Sequence, residues 1–445
     1  MAKIAQSRSE KSSITTISSI NHEGKGITYK NNKTMFIDNA LLNEVVEYKI
    51  LKKKKNLAFG KSLKILKPSS QRVVAKCNVY GVCGGCSMQH FDEGAQLAYK
   101  QRSFEETLMH VGNVLPETLL SPISGPLWHY RHKARLRVKF VLKKQKVLIG
   151  FNEKMSHFLT NMNSCSVLPK KISDLIEPLQ NLFYKLYIRD KIPQIEYASN
   201  QVRHILVLRI LEPLKREDIS LLKDFQKSNK IEFWTQSKGY DTVKPLSSST
   251  PHEMSYINKE YNLHFSFNPT GFTQINPFIN QILIRKVMNM LNPSKVDLIF
   301  DLFSGVGNFA LPIATTGANV VAIEGDENLI DSGNRNAHQN NLSKNLKFKK
   351  LDLFSLKKKE LIGLGYANKW LIDPPRVGAI DLINLLDDEI KPELILYISC
   401  NPSTLARDSN ILVNEKDYVF KKGGIVNMFP HTSHIESISL FIRNE

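Results

Sequence analysis

From about residue 270 onward, short apolar runs alternate with helical stretches, and this alternation constrains the fold of the chain more than any other feature. The runs cover residues 296–302, 319–323, a weaker stretch around Phe348, 370–372 and 394–398. A β-α-β-α order implies a parallel, doubly wound sheet. In such a sheet ligands bind beyond the carboxyl ends of the strands, so the residues standing there carry the chemistry.

Asp301-Leu302-Phe303-Ser304-Gly305-Val306-Gly307-Asn308-Phe309 follows the first run and opens a helix. Glycines at that bend let a ligand approach the backbone. Glu324 closes the second run, where a carboxylate can accept both hydroxyls of a ribose. Those features fit NAD or S-adenosylmethionine. Two details favour the methyl donor. Ala310 stands where the dinucleotide pattern wants a third glycine, and Asp373-Pro374-Pro375-Arg376 ends the fourth run. The prolines lock a turn whose carbonyls and Asp side chain can face a planar base.

Cys400 ends the fifth run, in Ser399-Cys400-Asn401-Pro402. A lone cysteine is commonly a small core residue. Its place on the ligand edge, beside a proline turn, marks it as a nucleophile. Attack of a thiolate on an electron-poor carbon of a planar base turns the neighbouring ring carbon into an enolate carbon that can accept a methyl group. Release then needs a base. Phe429-Pro430-His431-Thr432-Ser433-His434-Ile435-Glu436-Ser437 offers Glu436, His431 and His434.

The rest of the chain is basic and richer in strands. Net charge is +19, and residues 1–70 hold 14 Lys and Arg against 5 Asp and Glu. Such a surplus implies a polyanionic partner. Residues 14–66 read as about five short strands, an OB-type barrel or another small β module. Residues 93–112 read as a helix, and 127–270 as a mixed, strand-rich region. Within it Tyr130–Phe140 alternates basic and apolar residues, which gives a strand one cationic face. The polar residues 1–12 are expected to be disordered. With no apolar run of about 18 residues and no apolar N-terminal stretch, neither a membrane helix nor a secretory signal is expected, and the cytoplasm is the expected compartment. Five cysteines, an odd number, argue against a disulfide framework. Cys77, Cys83 and Cys86 with distant Cys165 supply four thiolates, and their spacing suits zinc or an iron–sulfur group.

Taken together these segments resemble the RNA uracil-C5 methyltransferase (RumA/TrmA) family, in order and near its spacing. His22-Glu23-Gly24-Lys25-Gly26 resembles the opening of its TRAM domain, and Cys83-Gly84-Gly85-Cys86-Ser87-Met88-Gln89-His90 its iron–sulfur segment. Ser304 and the Ala40–Glu44 turn depart from the family pattern, which leaves the shape of that turn open.

The resemblance implies a multidomain α/β protein. An OB-like TRAM barrel would cover residues 13–70. A central iron–sulfur and RNA-binding α+β domain would cover 71–92 and 126–268. A Rossmann-like methyltransferase domain would cover 93–125 and 269–445. Cys400 would be the nucleophile, Glu436 the base, and Asp373 and Gln274 would orient the uracil. Gln274, Phe303, Gly305, Asn308, Glu324, Asp352 and Asp373 would line the S-adenosyl-L-methionine site. Cys77, Cys83, Cys86 and Cys165 would hold a [4Fe–4S] cluster. Barrel and cluster together point to the branch that acts on 23S rRNA, with a flipped-out uridine as substrate and a monomeric enzyme. Methylation of tRNA or of a second rRNA site, exocyclic amino-group methylation, and a non-catalytic RNA-binding factor are the alternatives. Arg376 after the prolines and the intact Cys400 and Glu436 speak against the last two.

Overall fold

The computed structural model describes residues 12–247, 253–271 and 273–444. The start of the polar segment expected to be disordered, residues 1–11, lies outside them. The chain divides into two compact units. Among the described residues, one comprises residues 12–100 with Glu153–Ser156 and His431–His434. The other holds the remainder.

The first unit contains six strands, one more than the sequence suggested: β1 (Ser13–Thr16), β2 (Ser19–Ile20), β3 (Gly26–Lys30), β4 (Lys33–Asp38), β5 (Val45–Lys53) and β6 (Leu57–Lys67). They form one sheet in the order β1-β5-β6-β4-β3-β2. All neighbours are antiparallel except β4 and β6. Alternate residues such as Met35, Ile37, Val46 and Tyr48 point into its core. The Ala40–Glu44 turn is closed by the buried Glu44 carboxylate, which accepts the Leu41 and Ser69 amides at 2.8 and 3.1 Å and the Arg72 guanidinium at 2.7 Å. Lys52-Lys53-Lys54-Lys55 is exposed at the end of the β5–β6 hairpin.

Helix α1 (Glu93–Gly112) covers the stretch read as helical, and β7 (Thr118–Leu119) follows it. The mixed region resolves into β8 (Lys133–Val141), β9 (Lys146–Gly150), α2 (Lys170–Ser173), α3 (Ile176–Lys185), β10 (Gln194–Ser199), β11 (His204–Arg209), α4 (Arg216–Asn229), β12 (Glu232–Gln236) and β13 (Lys244–Pro245). The strands make a sheet in the order β13-β12-β11-β10-β8-β9. On β8, Ala134, Leu136 and Val138 are buried while Arg135, Arg137 and Lys139 are exposed, the cationic face that alternation predicted. A hairpin, β14 (Met254–Asn258) and β15 (Leu263–Phe267), leads to the last sheet.

That sheet is built from β16 (Leu298–Leu302), β17 (Asn319–Glu324), β18 (Leu346–Lys350), β19 (Lys369–Ile372), β20 (Leu394–Ser399), β21 (Tyr418–Val426) and β22 (Glu436–Arg443), with α5 (Pro277–Leu291), α6 (Ala310–Ala314), α7 (Glu327–Gln339), α8 (Lys358–Ile362), α9 (Ile380–Asn384) and α10 (Pro402–Asn414). Its order is β18-β17-β16-β19-β20-β22-β21-β7. The five runs read from the sequence are the parallel strands β16 to β20. Strands such as β16 and β19 are nearly continuous buried apolar segments, whereas the edge strand β18 exposes Lys347, Lys349 and Lys350. The sheet is not parallel throughout, as the alternation had implied. β22 pairs antiparallel with both β20 and β21. Apolar periodicity shows that a segment is a strand and says nothing of its direction. Asn276 caps α5, Asp326 caps α7 and Asn401 caps α10, with proline at the first turn of α5 and α10. Two of these caps therefore fix the sharp strand-to-helix turns around the site. No helix among the described residues is long and apolar enough to cross a membrane.

Candidate active site

The glycine loop between β16 and α6 is bent by three consecutive odd residues in left-handed conformations: Phe303 (φ 66°), Gly305 (φ 56°) and Gly307 (φ 90°). The two glycines answer different demands. A Cβ on Gly305 would meet nothing within 4 Å, so that side of the loop is open to a ligand. A Cβ on Gly307 would lie 2.4 Å from Leu311 Cδ1 and 3.0 Å from Phe348 Cζ, so this glycine lets the loop close onto its own helix. Glu324, at the end of β17, holds the loop. One carboxylate oxygen accepts the Gly305 amide at 3.0 Å, the other the Gly325 and Asp326 amides at 2.8 and 3.1 Å. Asp301, fully buried at the end of β16, has both carboxylate oxygens without a hydrogen-bond partner. Burial, and then the charge of Asp373, hold its carboxyl well above the usual range, against the pull of the Ala310 amide and with a further push from Glu324. A buried carboxyl with unused acceptor capacity, near an open glycine and a second carboxylate, fits a ligand that brings hydroxyl or ammonium donors.

The second half of the site lies at the ends of β19, β20 and β22. Ser399 pairs with Ser437 as the last step of the β20–β22 ladder. The next residue outward on each strand is Cys400 and Glu436 (the latter opens β22). The Asp-Pro-Pro-Arg turn is tied to the cysteine turn: Asn401 Nδ2 and Thr404 Oγ1 donate to the Arg376 carbonyl at 2.9 and 3.3 Å. Asp373 begins that turn, its amide donating to Leu302 O at 3.2 Å. Burial pushes the Asp373 carboxyl up to about 7. Burial and the charge of Asp373 push Glu436 up to about 8, against the pull of Arg376. Burial, then Glu436 and Asp373, push the Cys400 thiol up to about 11, again opposed by Arg376. The structure thus brings Cys400, Glu436 and Asp373 into one electrostatically coupled group, with Arg376 as its counter-charge.

Other residues proposed from the sequence sit differently. Phe303 packs against Phe354, ring centroids 5.4 Å apart. Asn308 forms a two-way amide pair with Asn280, at 2.8 and 3.0 Å, that joins the glycine loop to α5. Asp352 is exposed and closes its own turn, accepting the Phe354 amide at 3.0 Å and the Ser355 hydroxyl at 2.8 Å, contacts that lower its carboxyl. Gln274 is half-buried on the segment before α5. The start of β8 pins that segment, for the His132 amide donates to Ile275 O at 2.8 Å and the Lys133 ammonium to Pro269 O at 3.2 Å and to Gly271 O. Asp301, Arg376 and Asn280 were given no role from sequence. A charge inside the otherwise apolar β16 was the available signal for Asp301. The amide pair spans distant segments and leaves no local trace.

The four metal-ligand candidates are reduced cysteines. Cys77, Cys83 and Cys86 lie on one loop of the first unit, where the Gly85 amide donates to Cys83 Sγ at 3.4 Å. Cys165 is buried in the second unit, its amide donating to Ser173 Oγ at 2.9 Å. Among the described residues, no three His, Cys, Asp or Glu side chains are gathered closely enough to hold a metal ion.

Residues 92–444 match the model of a family described as tRNA (Uracil-5-)-methyltransferase. A Nitrosospira multiformis protein named 23S rRNA (uracil(1939)-C(5))-methyltransferase RlmD is 43% identical over 426 residues, 96% of this chain and 97% of the relative. A Dechloromonas aromatica protein of the same name is 43% identical over 428 residues, 96% of this chain and 99% of the relative. Among solved structures, Pyrococcus abyssi tRNA (uracil-54, C5)-methyltransferase, in complex with S-adenosyl-L-homocysteine, is similar with a TM-score of 0.73. At 22% identity, over 97% of this chain and 100% of that one, this likeness concerns the fold. A family match over most of the chain, with 43% identity to relatives over nearly its whole length, leads to one conclusion: the chain belongs to the tRNA (uracil-5-)-methyltransferase family.

Proposed function

We propose that this protein methylates C5 of a uridine in 23S rRNA, using S-adenosylmethionine and a covalent bond between Cys400 and C6 of the base. The carrying observation is the placement of Cys400 and Glu436 one step beyond the Ser399–Ser437 pair, coupled to Asp373. The names of the relatives support the substrate.

Each proposed step uses a property of these side chains. Cys400, a thiol at neutral pH, gives its proton to the Asp373 carboxylate as its sulfur bonds to C6 of the flipped uracil, which leaves Glu436 free for the later step. The C5–C6 π electrons move toward C5 and O4, and Asp373 holds the base edge. Bound S-adenosylmethionine supplies the methyl group that C5 accepts. Ionised Glu436 then takes the C5 proton, the C5–C6 double bond re-forms and the sulfur leaves, regaining its proton from Asp373. Raised to about 8, Glu436 is a stronger base than an exposed carboxylate once ionised, and its ionised fraction grows as pH rises toward that value. Glu324 would receive the ribose hydroxyls, Asp301 the donors at the buried end, and Phe303, Gly305, Asn308, Gln274 and Asp352 would complete the cofactor site.

In this reading residues 13–70 form a TRAM barrel that grips phosphates, residues 71–92 and 126–268 the RNA-binding central domain, and residues 93–125 and 269–445 the methyltransferase domain of a monomeric enzyme. Cys77, Cys83, Cys86 and Cys165 would hold a [4Fe–4S] cluster. Soft thiolate donors and an amide donating to Cys83 sulfur suit such a group. The decisive experiment maps 5-methyluridine in 23S rRNA and in tRNA from cells with and without the gene. Loss of one 23S position is expected. Loss confined to tRNA, or no loss, would overturn the substrate.

A further inference from the structure

The central sheet carries an exposed group of rings and cations that the proposed chemistry does not use. Tyr184 and Tyr187 lie on either side of the end of α3 and are 41% and 63% exposed. Each ring meets a cation. The Arg189 guanidinium lies 5.8 Å from the Tyr184 ring and 5.2 Å from that of Phe140 on β8, and the two rings are 6.2 Å apart. The Lys215 ammonium lies 3.0 Å from the Tyr187 ring.

The second pair is held from beneath. Asp218 is 1% exposed, and its two carboxylate oxygens accept the Tyr187 amide at 2.7 Å and the Lys215 amide at 3.2 Å. One buried carboxylate therefore fixes the backbones of both ring and cation. Asp190 and Glu212 share Lys191, which neutralises one of the two carboxylates and leaves a single negative charge nearby. Lys139 and Arg216 add further exposed charge, and Glu217 is the acid beside them in sequence.

Cations alone suit any polyanion. Duplex RNA hides its bases, so it gains little from flat exposed rings. An unpaired strand stacks its bases on such rings and lays its phosphates on the neighbouring cations. We propose that Tyr184, Tyr187, Arg189 and Lys215 form a stacking platform for unpaired nucleotides of the RNA substrate, separate from the residues that hold the target uridine. The assignment rests on the RNA-substrate reading above.

Fluorescence anisotropy with a labelled mixed-sequence single-stranded RNA of about a dozen nucleotides tests the platform without requiring methylation. A blunt duplex of the same length is the comparison. The full-length Tyr184→Ala, Tyr187→Ala variant is expected to bind the single strand about tenfold more weakly, with duplex binding and thermal midpoint unchanged. Phe at both positions should restore affinity. Lys215→Gln should lower the salt slope by about 0.7. Equal single-strand affinity in wild type and the alanine pair overturns the platform, as does equal loss for the duplex. The substrate reading fails separately, if wild-type enzyme leaves a 23S rRNA fragment unmethylated while the alanine pair still weakens binding to the oligonucleotide.

Discussion

Ser437 Oγ donates to the Ser399 carbonyl at 3.4 Å across the last rung of the β20–β22 ladder. Both serines are buried, so this rung is shielded from water. It fixes the register of the two strands. A slip by one residue would turn Glu436 to the opposite face of the sheet and separate it from Cys400.

Replacing Cys400 with Ala should lower methylation by a factor on the order of 10⁴ or more, because no other group can form the bond to C6. RNA affinity and thermal midpoint should stay near wild type. Full activity in the purified variant would remove the covalent mechanism.

Glu436→Gln keeps the shape of the side chain and cannot take a proton at neutral pH. The variant should accumulate a methylated protein–RNA adduct, visible as a shifted band on a denaturing gel with labelled rRNA fragment and S-adenosylmethionine. The band should vanish in the Cys400→Ala, Glu436→Gln double variant. Normal turnover without an adduct would assign the base to another group.

The same variant has a pH signature. The Glu436 carboxyl rises from its ordinary value of 4.5 to about 8 in the folded protein. Over that window the folded state holds a proton that the unfolded state has released, so stability contributed by this group falls as pH rises. Glu436→Gln lacks this dependence. Its thermal midpoint, relative to wild type, should climb between pH 5 and about 8 and level off above. A difference that stays flat across this range would show that Glu436 is not buried as described.

The two loop glycines should fail in different ways. Gly307→Ala drives a Cβ into Leu311 and Phe348 at a positive φ, and should cost about 2 kcal/mol or more of stability. Gly305→Ala has open space and should cost about 1 kcal/mol, while S-adenosylmethionine affinity falls sharply. Calorimetry of unfolding and of cofactor binding separates the two effects. Equal behaviour of the two variants would contradict these roles.

Anaerobically purified protein should carry a brown, oxygen-sensitive chromophore with iron and sulfide in equal amounts, and Cys86→Ser should lose it. Stoichiometric zinc without iron would replace the cluster with a zinc site.

Legibility from sequence followed how local the cause was. Helix α1 and strands β16 to β20 were readable because apolar periodicity is local. Cys400 could be singled out because it stands at the end of an apolar strand run, and Glu436, one of three candidates in its segment, through the resemblance of that segment to the family. Their adjacency was not readable from spacing, since it depends on β22 entering the sheet antiparallel beside β20. The Asn280–Asn308 pair, the clamp of Lys133 on the Pro269 and Gly271 carbonyls, and the buried charge of Asp301 likewise arise from tertiary packing.

Strand β22 lies between β20 and β21 but follows both in the chain. During synthesis, β20 and β21 emerge with the edges that will receive β22 still lacking their native partner. In the proposed mechanism the nucleophile is therefore made well before its proton acceptor. A growing chain would hold Cys400 without Glu436, so competence to complete a catalytic cycle arrives only with the strand that closes the gap. Before that point the unfilled slot is open to any extended segment, from the same chain or another. Insertion of β22 fills this slot and, in the same step, completes the proposed reaction centre.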